Sequence, residues 1–237
     1  MIRIGTAGWS VPKAVADRFA AEGTHLQRYG SRLNAVEINS SFYRHHRRAT
    51  YERWADGVPD GFRFAVKVPK TITHERRLTG CDDIIERLAD EVAGLGRKLG
   101  PLLVQLPPSF AFPGDAAWDV LGRLSAATGA SVVFEPRHES WFAPEIDRAL
   151  AERGIARVAA DPPPAPGAEL PGGSAELQYW RLHGSPRIYW SDYSTERIAG
   201  QAETCRSAPC EIWTIFDNTA AGAAAANALA LHELVGG

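Results

Sequence analysis

The chain has 237 residues, 45% of them hydrophobic, and a formal net charge of −2. That is enough apolar material for one full core, and it excludes collagenous, low-complexity and disordered classes. The near balance of acid and base excludes a basic nucleic-acid arm or an acidic tail, while leaving room for a local basic patch that faces a nucleic acid.

Three cysteines, Cys81, Cys205 and Cys210, are scattered and lack the close CxxC spacing of a zinc knuckle. With no signal peptide recognised, they are read as free thiols, and the expected location is the cytoplasm. No apolar run is long enough to span a bilayer, so no membrane partner is expected.

Eight short β-like runs follow one another: Ile2–Ala7, Ala35–Phe42, Arg63–Pro69, Leu102–Pro107, Ser131–Arg137, Ala156–Asp161, Gln178–Gly184 and Glu211–Asn218. Most gaps between them carry helical periodicity. The clearest is Asp83–Leu99, where Ile84, Leu88, Val92 and Leu95 share a face and Asp82 or Asp83 would be the N-cap. Trp118–Ala127, Pro144–Arg153 and Ala221–Leu234 also read as helices. Between Asp161 and Gln178, closely spaced prolines and glycines exclude a regular helix, so the sixth crossover helix is expected to be replaced by a loop. Strand–helix alternation with right-handed crossovers predicts a parallel sheet, and eight units predict a single α/β domain over residues 1–237, a TIM-type (β/α)8 barrel. A Rossmann-like sheet is disfavoured, because Gly5-Thr6-Ala7-Gly8-Trp9 lacks the GxGxxG spacing.

Strand side chains alternate, and the helix-facing set should be apolar. Val36, Ile38, Phe64, Val66, Val68, Val104, Leu106, Val132, Phe134, Trp180 and Leu182 then point outward. Glu37, Asn39, Lys67, Gln105, Glu135, Arg137, Arg181 and His183 point to the axis, mostly in the carboxyl halves of their strands. That is the end where barrel enzymes build their sites. Asp161 closes the sixth run, and Asp217 and Asn218 close the eighth. A ring of charge needs a reason, since burying it is costly unless it is paired. The reason is either an internal ion-pair network or a ligand site.

The segments Val36-Glu37-Ile38-Asn39-Ser40-Ser41-Phe42-Tyr43, Phe62 to Pro69, Ile72-Thr73-His74, Leu103 to Phe110, Phe134-Glu135-Pro136-Arg137-His138-Glu139-Ser140-Trp141, Arg181-Leu182-His183-Gly184 and Phe216-Asp217-Asn218-Thr219 occur in this order. Together they resemble the YecE-like family, domain of unknown function 72, over essentially the whole chain. The resemblance implies a barrel of the broad type of endonuclease IV and xylose isomerase, without an established reaction. It places a site on Glu37, Lys67, His74, Glu135, Arg137, His138, Arg181, His183 and Asn218. Two loops depart from the commoner pattern, at Ser10-Val11-Pro12 and Arg44-His45-His46-Arg47-Arg48, so the substrate preference can differ.

Lys67, Arg137 and Arg181 read jointly as an anion site, with Asn39, Gln105, His138, Tyr43, Trp141 and Asn218 as further substrate contacts. The turn before the last helix would add phosphate-binding amides. Glu37 and Glu135 would act as general acid and base, with His74 or His183 as the second proton-transfer group. Lys67 as an imine-forming nucleophile is weighed against a salt bridge to Glu37 or Glu135, and the salt bridge is preferred. A metal site is open but not favoured: His74, His138, His183, Glu37, Glu135, Asp161 and Asp217 could supply ligands, yet three cations share the cavity. The leading expectation is an enzyme acting on a phosphate-bearing or otherwise anionic small molecule, with hydrolysis or phosphoester cleavage preferred. The alternatives are a metal-dependent nuclease or repair enzyme related to endonuclease IV, with a nucleic-acid partner, and a non-catalytic binding barrel. Oligomeric state is left open.

Overall fold

Alternation of apolar and polar side chains builds the strands, and the computed structural model, which describes residues 1–236, shows where they pair. One sheet runs β1 (Ile2–Thr6), β10 (Glu211–Phe216), β9 (Leu177–Leu182), β7 (Ala159–Asp161). The other runs β2 (Ala35–Ile38), β3 (Arg63–Lys67), β4 (Leu99–Gln105), β5 (Val132–Glu135), β6 (Ala156–Arg157), β8 (Gly172–Gly173). All named strand pairings are parallel except β6 with β8.

The two sheets meet at two seams. At one, β6 and β7 are successive halves of one extended segment: the first pairs with β5 and the second with β9. At the other, β1 and β2 share a single parallel bridge, Ala7 to Glu37, with the Gly8 amide donating to the Glu37 carbonyl at 2.8 Å. Side chains stitch the rest of this seam. The Ile4 amide donates to Asn34 Oδ1 at 2.9 Å, and Asn34 Nδ2 donates to the Ile2 carbonyl at 3.0 Å. The Tyr29 hydroxyl accepts from the Thr6 amide at 2.8 Å and donates to the Ala35 carbonyl at 2.9 Å. Eight strand positions thus follow one another around a ring, the TIM-type architecture that the alternating elements predict.

Helices α1 (His25–Gly30), α2 (Ser40–Tyr43), α3 (Arg48–Asp56), α4 (Asp82–Val92), α5 (Ala116–Thr128), α6 (Pro144–Glu152), α7 (Thr195–Ser207) and α8 (Ala223–Leu234) complete the chain. Between β7 and β9 no helix forms; a loop leads into β8 instead. Arg157 holds that loop through the carbonyls of Gly167 and Leu170, at 2.9 and 3.3 Å.

Several expected boundaries move, each for a local reason. The second strand stops at Ile38 rather than Phe42, because Ser41 Oγ bonds the carbonyls of Ile38 and Lys67 and turns the chain into α2. The long helix ends at Val92 and gives way to a 3-10 turn. There Gly94 lies so close to α3 that a Cβ would stand 2.5 Å from the Arg48 carbonyl oxygen, and Gly96 has φ +50°. Its N-cap position is Cys81; Asp82 and Asp83 lie in the first turn, where they favour the helix dipole without capping it. The last helix begins at Ala223, behind Gly222 at φ +81°, so Asn218 does not cap it.

The outward set assigned by parity packs with the helices in one large apolar layer, which includes Leu88, Leu121, Leu150 and Leu229. A smaller cluster fills the axis: Ala35, Ala65, Leu103, Val133, Tyr179, Trp213 and Ile215. This plug closes the lower barrel and leaves the polar residues stacked above it. Among the described residues no helix is long and apolar enough to cross a membrane.

Candidate functional site

The carboxyl ends of β2, β3, β4, β5 and β9 bring Glu37, Lys67, Gln105, Glu135, Arg181 and His183 toward the axis, and Asp217 follows β10. Arg181 is the centre. Its guanidinium donates to Glu37 at 3.0 Å from Nε and 2.7 Å from Nη2, to Glu135 at 2.8 Å from Nη1, and to Asp217 at 2.9 Å from Nη2. Arg181 and Glu37 are fully buried, and Glu135 is 1% exposed. Burial opposes the charge on Arg181, but Glu37, Glu135 and Asp217 override it and hold the guanidinium firmly protonated.

The carboxylates take further partners in turn. Glu37 also accepts from the Tyr179 hydroxyl at 2.9 Å. Glu135 also accepts from Gln105 at 2.9 Å and Arg137 at 3.2 Å, and lies 3.1 Å from His183 Nε2. Burial alone would raise the Glu135 carboxyl; Arg181, Arg137 and His183 hold it well below the usual range. Asp217 is lowered in the same way, against burial, by Arg181 and His183. His183 has a carboxylate at each ring nitrogen, with Asp217 3.0 Å from Nδ1. Burial and Arg181 disfavour its charge, yet the bonds to Asp217 and Glu135 prevail and raise its pKa, so the doubly protonated ring fits.

These directions set the pH dependence of stability. Glu135 and Asp217 are lowered, so their contribution is present above the unfolded carboxylate values near 4 and is lost as pH falls through the folded ones. His183 is raised, so its contribution is full below about 6.5 and is lost as pH rises toward its folded value. Lys67 is lowered to about 8 and works oppositely, favouring the fold as pH rises above that. The denaturation midpoint should therefore peak on the acid side of neutrality and decline as pH rises above about 6.5. His183→Gln should flatten that decline in chemical denaturation; an undiminished decline would remove His183 as its cause.

Lys67 corrects an expectation. It forms no salt bridge with Glu37 or Glu135; among the described residues its ammonium makes no hydrogen bond or ion pair. It is 8% exposed and lies 4.3 Å above the Phe42 ring. Burial first, then Arg181, pulls its pKa to about 8 against the three carboxylates. Arg137 reaches Glu135 through Nη2 alone, and its side chain is 18% exposed. His74, on a π-helical turn after β3, packs edge-on against Phe42 at 5.0 Å, with Nδ1 2.8 Å from Thr73 Oγ1. Burial, then Lys67 and Arg137, lower its pKa, so it is neutral at physiological pH. Asn39 Oδ1 is buried without a partner. Tyr43 is 72% exposed, and Tyr189 stands edge-on to His183 at 5.8 Å.

Other expectations fail on position. Trp141 is fully buried behind β5, donates to the Phe110 carbonyl at 2.7 Å and packs on Phe112 and Phe134; no substrate reaches it. Asn218 is fully buried, with Nδ2 donating to the Ser191 carbonyl and Asn227 Oδ1, so it braces a loop. His138 Nδ1 accepts from the Ser140 amide and caps a short turn. Arg181 commits four of its five N–H donors to the carboxylates, Glu135 accepts four hydrogen bonds and Glu37 accepts three, so both glutamates are held by the network rather than presented to a substrate. Parity could have found Tyr179, two residues before Arg181, but an aromatic on an inner face reads as packing. Cavities of about 390 and 440 Å³ open at the amino-terminal ends of the strands, where Arg3 is paired with Glu211 at 3.1 Å. The charged cluster lies at the opposite end.

The residues named for a metal do not fit one. Glu37, Glu135 and Asp217 converge on a guanidinium, and Asp161 pairs with Arg197 at 3.1 Å. Among the described residues no three His, Cys, Asp or Glu side chains converge to hold an ion.

Residues 3–237 match the family described as "Protein of unknown function DUF72", and the chain belongs to it. It is 34% identical over 171 residues to the UPF0759 protein YecE of Escherichia coli K12, a match covering 69% of this chain and 60% of that protein. Among solved structures it resembles a DUF72 protein of Enterococcus faecalis, with TM-score 0.81 and 24% identity over 99% of this chain and 95% of the other. A sugar phosphate isomerase/epimerase of Parabacteroides distasonis shares the barrel fold, with TM-score 0.54 and 11% identity over 98% of this chain and 93% of that one.

Proposed function

We propose that this DUF72 chain is an enzyme that binds a small anionic substrate, bearing a phosphate or carboxylate, at the carboxyl-terminal mouth of its barrel. The observation that carries this reading is the uncommitted ammonium of Lys67. Three carboxylates stand in the same barrel, yet all converge on Arg181, and Lys67 is left without a counter-ion. A desolvated cation with spare donors favours an anion that can reach it. Arg137, bound to Glu135 through Nη2 alone and 18% exposed, supplies a second cation, and it and Lys67 both act on His74.

Proton transfer falls to His74. Its ring is kept neutral, and Nε2 makes no hydrogen bond among the described residues. The hydrolytic expectation needed Glu37 or Glu135 to take a proton from water. Both are buried and paired with Arg181, which weakens that support. Arg181, Glu37, Glu135, Asp217, Tyr179 and His183 instead form a rigid floor that positions Lys67 and Arg137.

Thermal shift with inorganic phosphate tests the reading. The wild type should be stabilised in a concentration-dependent way. Lys67→Met and Arg137→Leu should each weaken the apparent Kd roughly 10-fold or more, the worth of one charge-assisted bond. Identical phosphate response in all three proteins would contradict it.

A further inference from the structure

Lysine is scarce in this chain: Lys13, Lys67, Lys70 and Lys98 are the 4, beside 22 arginines. Three of them have ordinary places. Lys98 Nζ donates to the carbonyls of Ala55 and Val58 at 2.7 and 2.6 Å. Lys70 pairs with Glu75 at 3.0 Å, and Lys13 is exposed. Lys67 alone is buried among charges, on a rigid strand, with a free amine. Anion binding by itself does not call for lysine there, since an arginine offers more donors in a fixed fork. An amine can lose its proton and attack a carbonyl carbon, which a guanidinium does not do.

The surroundings favour that step. The Phe42 ring covers one side of Nζ, Arg181 places positive charge nearby, and Lys67 and Arg137 both bear on His74. With its pKa at about 8, roughly a tenth of Lys67 is neutral amine at pH 7, against roughly one in three thousand for an ordinary lysine.

We propose that Lys67 forms an imine with the carbonyl group of an anionic aldehyde or ketone held beside Arg137. This rests on the reading of the mouth as an anion site and names the substrate class. The Nζ lone pair attacks the carbonyl carbon, a C–N bond forms, and the carbonyl π pair moves to oxygen. The C–O bond then breaks, and the oxygen leaves as water with the two hydrogens of the amine. No oxidant or reductant is consumed. Protonated from solvent, the imine draws electrons from the adjacent C–H bond, and the neutral His74 beside Phe42 is the base that takes that proton.

Glycolaldehyde phosphate is the probe. The full chain is incubated with it at neutral pH, reduced with sodium borohydride and mapped by peptide mass spectrometry. Label should concentrate on Lys67 ahead of Lys13, Lys70 and the amino terminus, and excess inorganic phosphate should suppress it. Lys67→Arg should abolish that label, and the phosphate thermal shift of the wild type reports the anion site separately. Label spread over the exposed amines, with Lys67 no faster than they are, overturns the imine. If that happens while phosphate still stabilises the wild type, the anion site stands alone. If phosphate does not stabilise the wild type, the anion site falls and the imine with it.

Discussion

Arg181→Met should leave the protein unable to hold its fold at neutral pH. The substitution removes four hydrogen bonds and strands Glu37, Glu135 and Asp217 around an apolar side chain. Breaking a buried ion pair by deleting one partner costs about 3–5 kcal/mol, and here three carboxylates lose the same partner. Against a whole-domain stability of about 5–15 kcal/mol, that is decisive. The loss carries a pH signature. Without Arg181 the buried carboxylates rise above their unfolded values, so the variant should regain stability as pH falls through that range, opposite to the acid limb of the wild type. Arg181→Lys should recover only part, because one ammonium cannot span three carboxylates in the guanidinium's geometry. Circular dichroism across denaturant at pH 5 and pH 8 reads both effects. A stably folded Arg181→Met protein with an unchanged pH profile would refute the role assigned to Arg181.

Gly5→Ala should be nearly as damaging, at a site that itself carries no charge. A Cβ at position 5 would lie 2.1 Å from the Ala35 carbonyl oxygen and 2.6 Å from its carbon, both backbone atoms. β1 and β2 approach there so closely that the Tyr29 hydroxyl bridges them in place of a regular ladder. Overpacking typically costs about 1–3 kcal/mol, and a clash with backbone rather than a flexible side chain belongs at or above the top of that range. Tyr29→Phe is the companion test. It leaves the Thr6 amide and Ala35 carbonyl unpaired in a buried seam, at about 1–3 kcal/mol each. A Gly5→Ala protein with wild-type melting would show that the seam can open without penalty.

The barrel was legible because its signal is local. Each strand alternates, and Val36/Ile38, Phe64/Val66 and Val132/Phe134 announce the outer face without reference to any other strand. The same parity placed Glu37, Lys67, Gln105, Glu135, Arg181 and His183 on the axis. What parity cannot convey is who pairs with whom. Glu37 and Arg181 are 144 residues apart, and only ring closure makes them partners. A sequence with balanced signs therefore invited pairing Lys67 with a glutamate, whereas Arg181 takes all three carboxylates. Residues just past strand ends were misread for a related reason. Trp141 and Asn218 follow turns, where alternation has stopped and exposure has no simple period. The Asn34 and Tyr29 stitches lie in a loop and a short helix, and no motif marks them.

Arg181 also bears on what kind of barrel this is. Three carboxylates gathered on one axis are the donor set a divalent cation would want, and this chain places a guanidinium there. The positive charge on that axis is built into the chain.

A crystal structure of the protein soaked in phosphate tests the anion site at the barrel mouth most directly. An anion should stand within hydrogen-bond distance of Lys67 Nζ and Arg137, with Arg181 still enclosed by Glu37, Glu135 and Asp217. Phosphate seated on Arg181, or found only away from the mouth while Lys67 remains without a ligand, would contradict it.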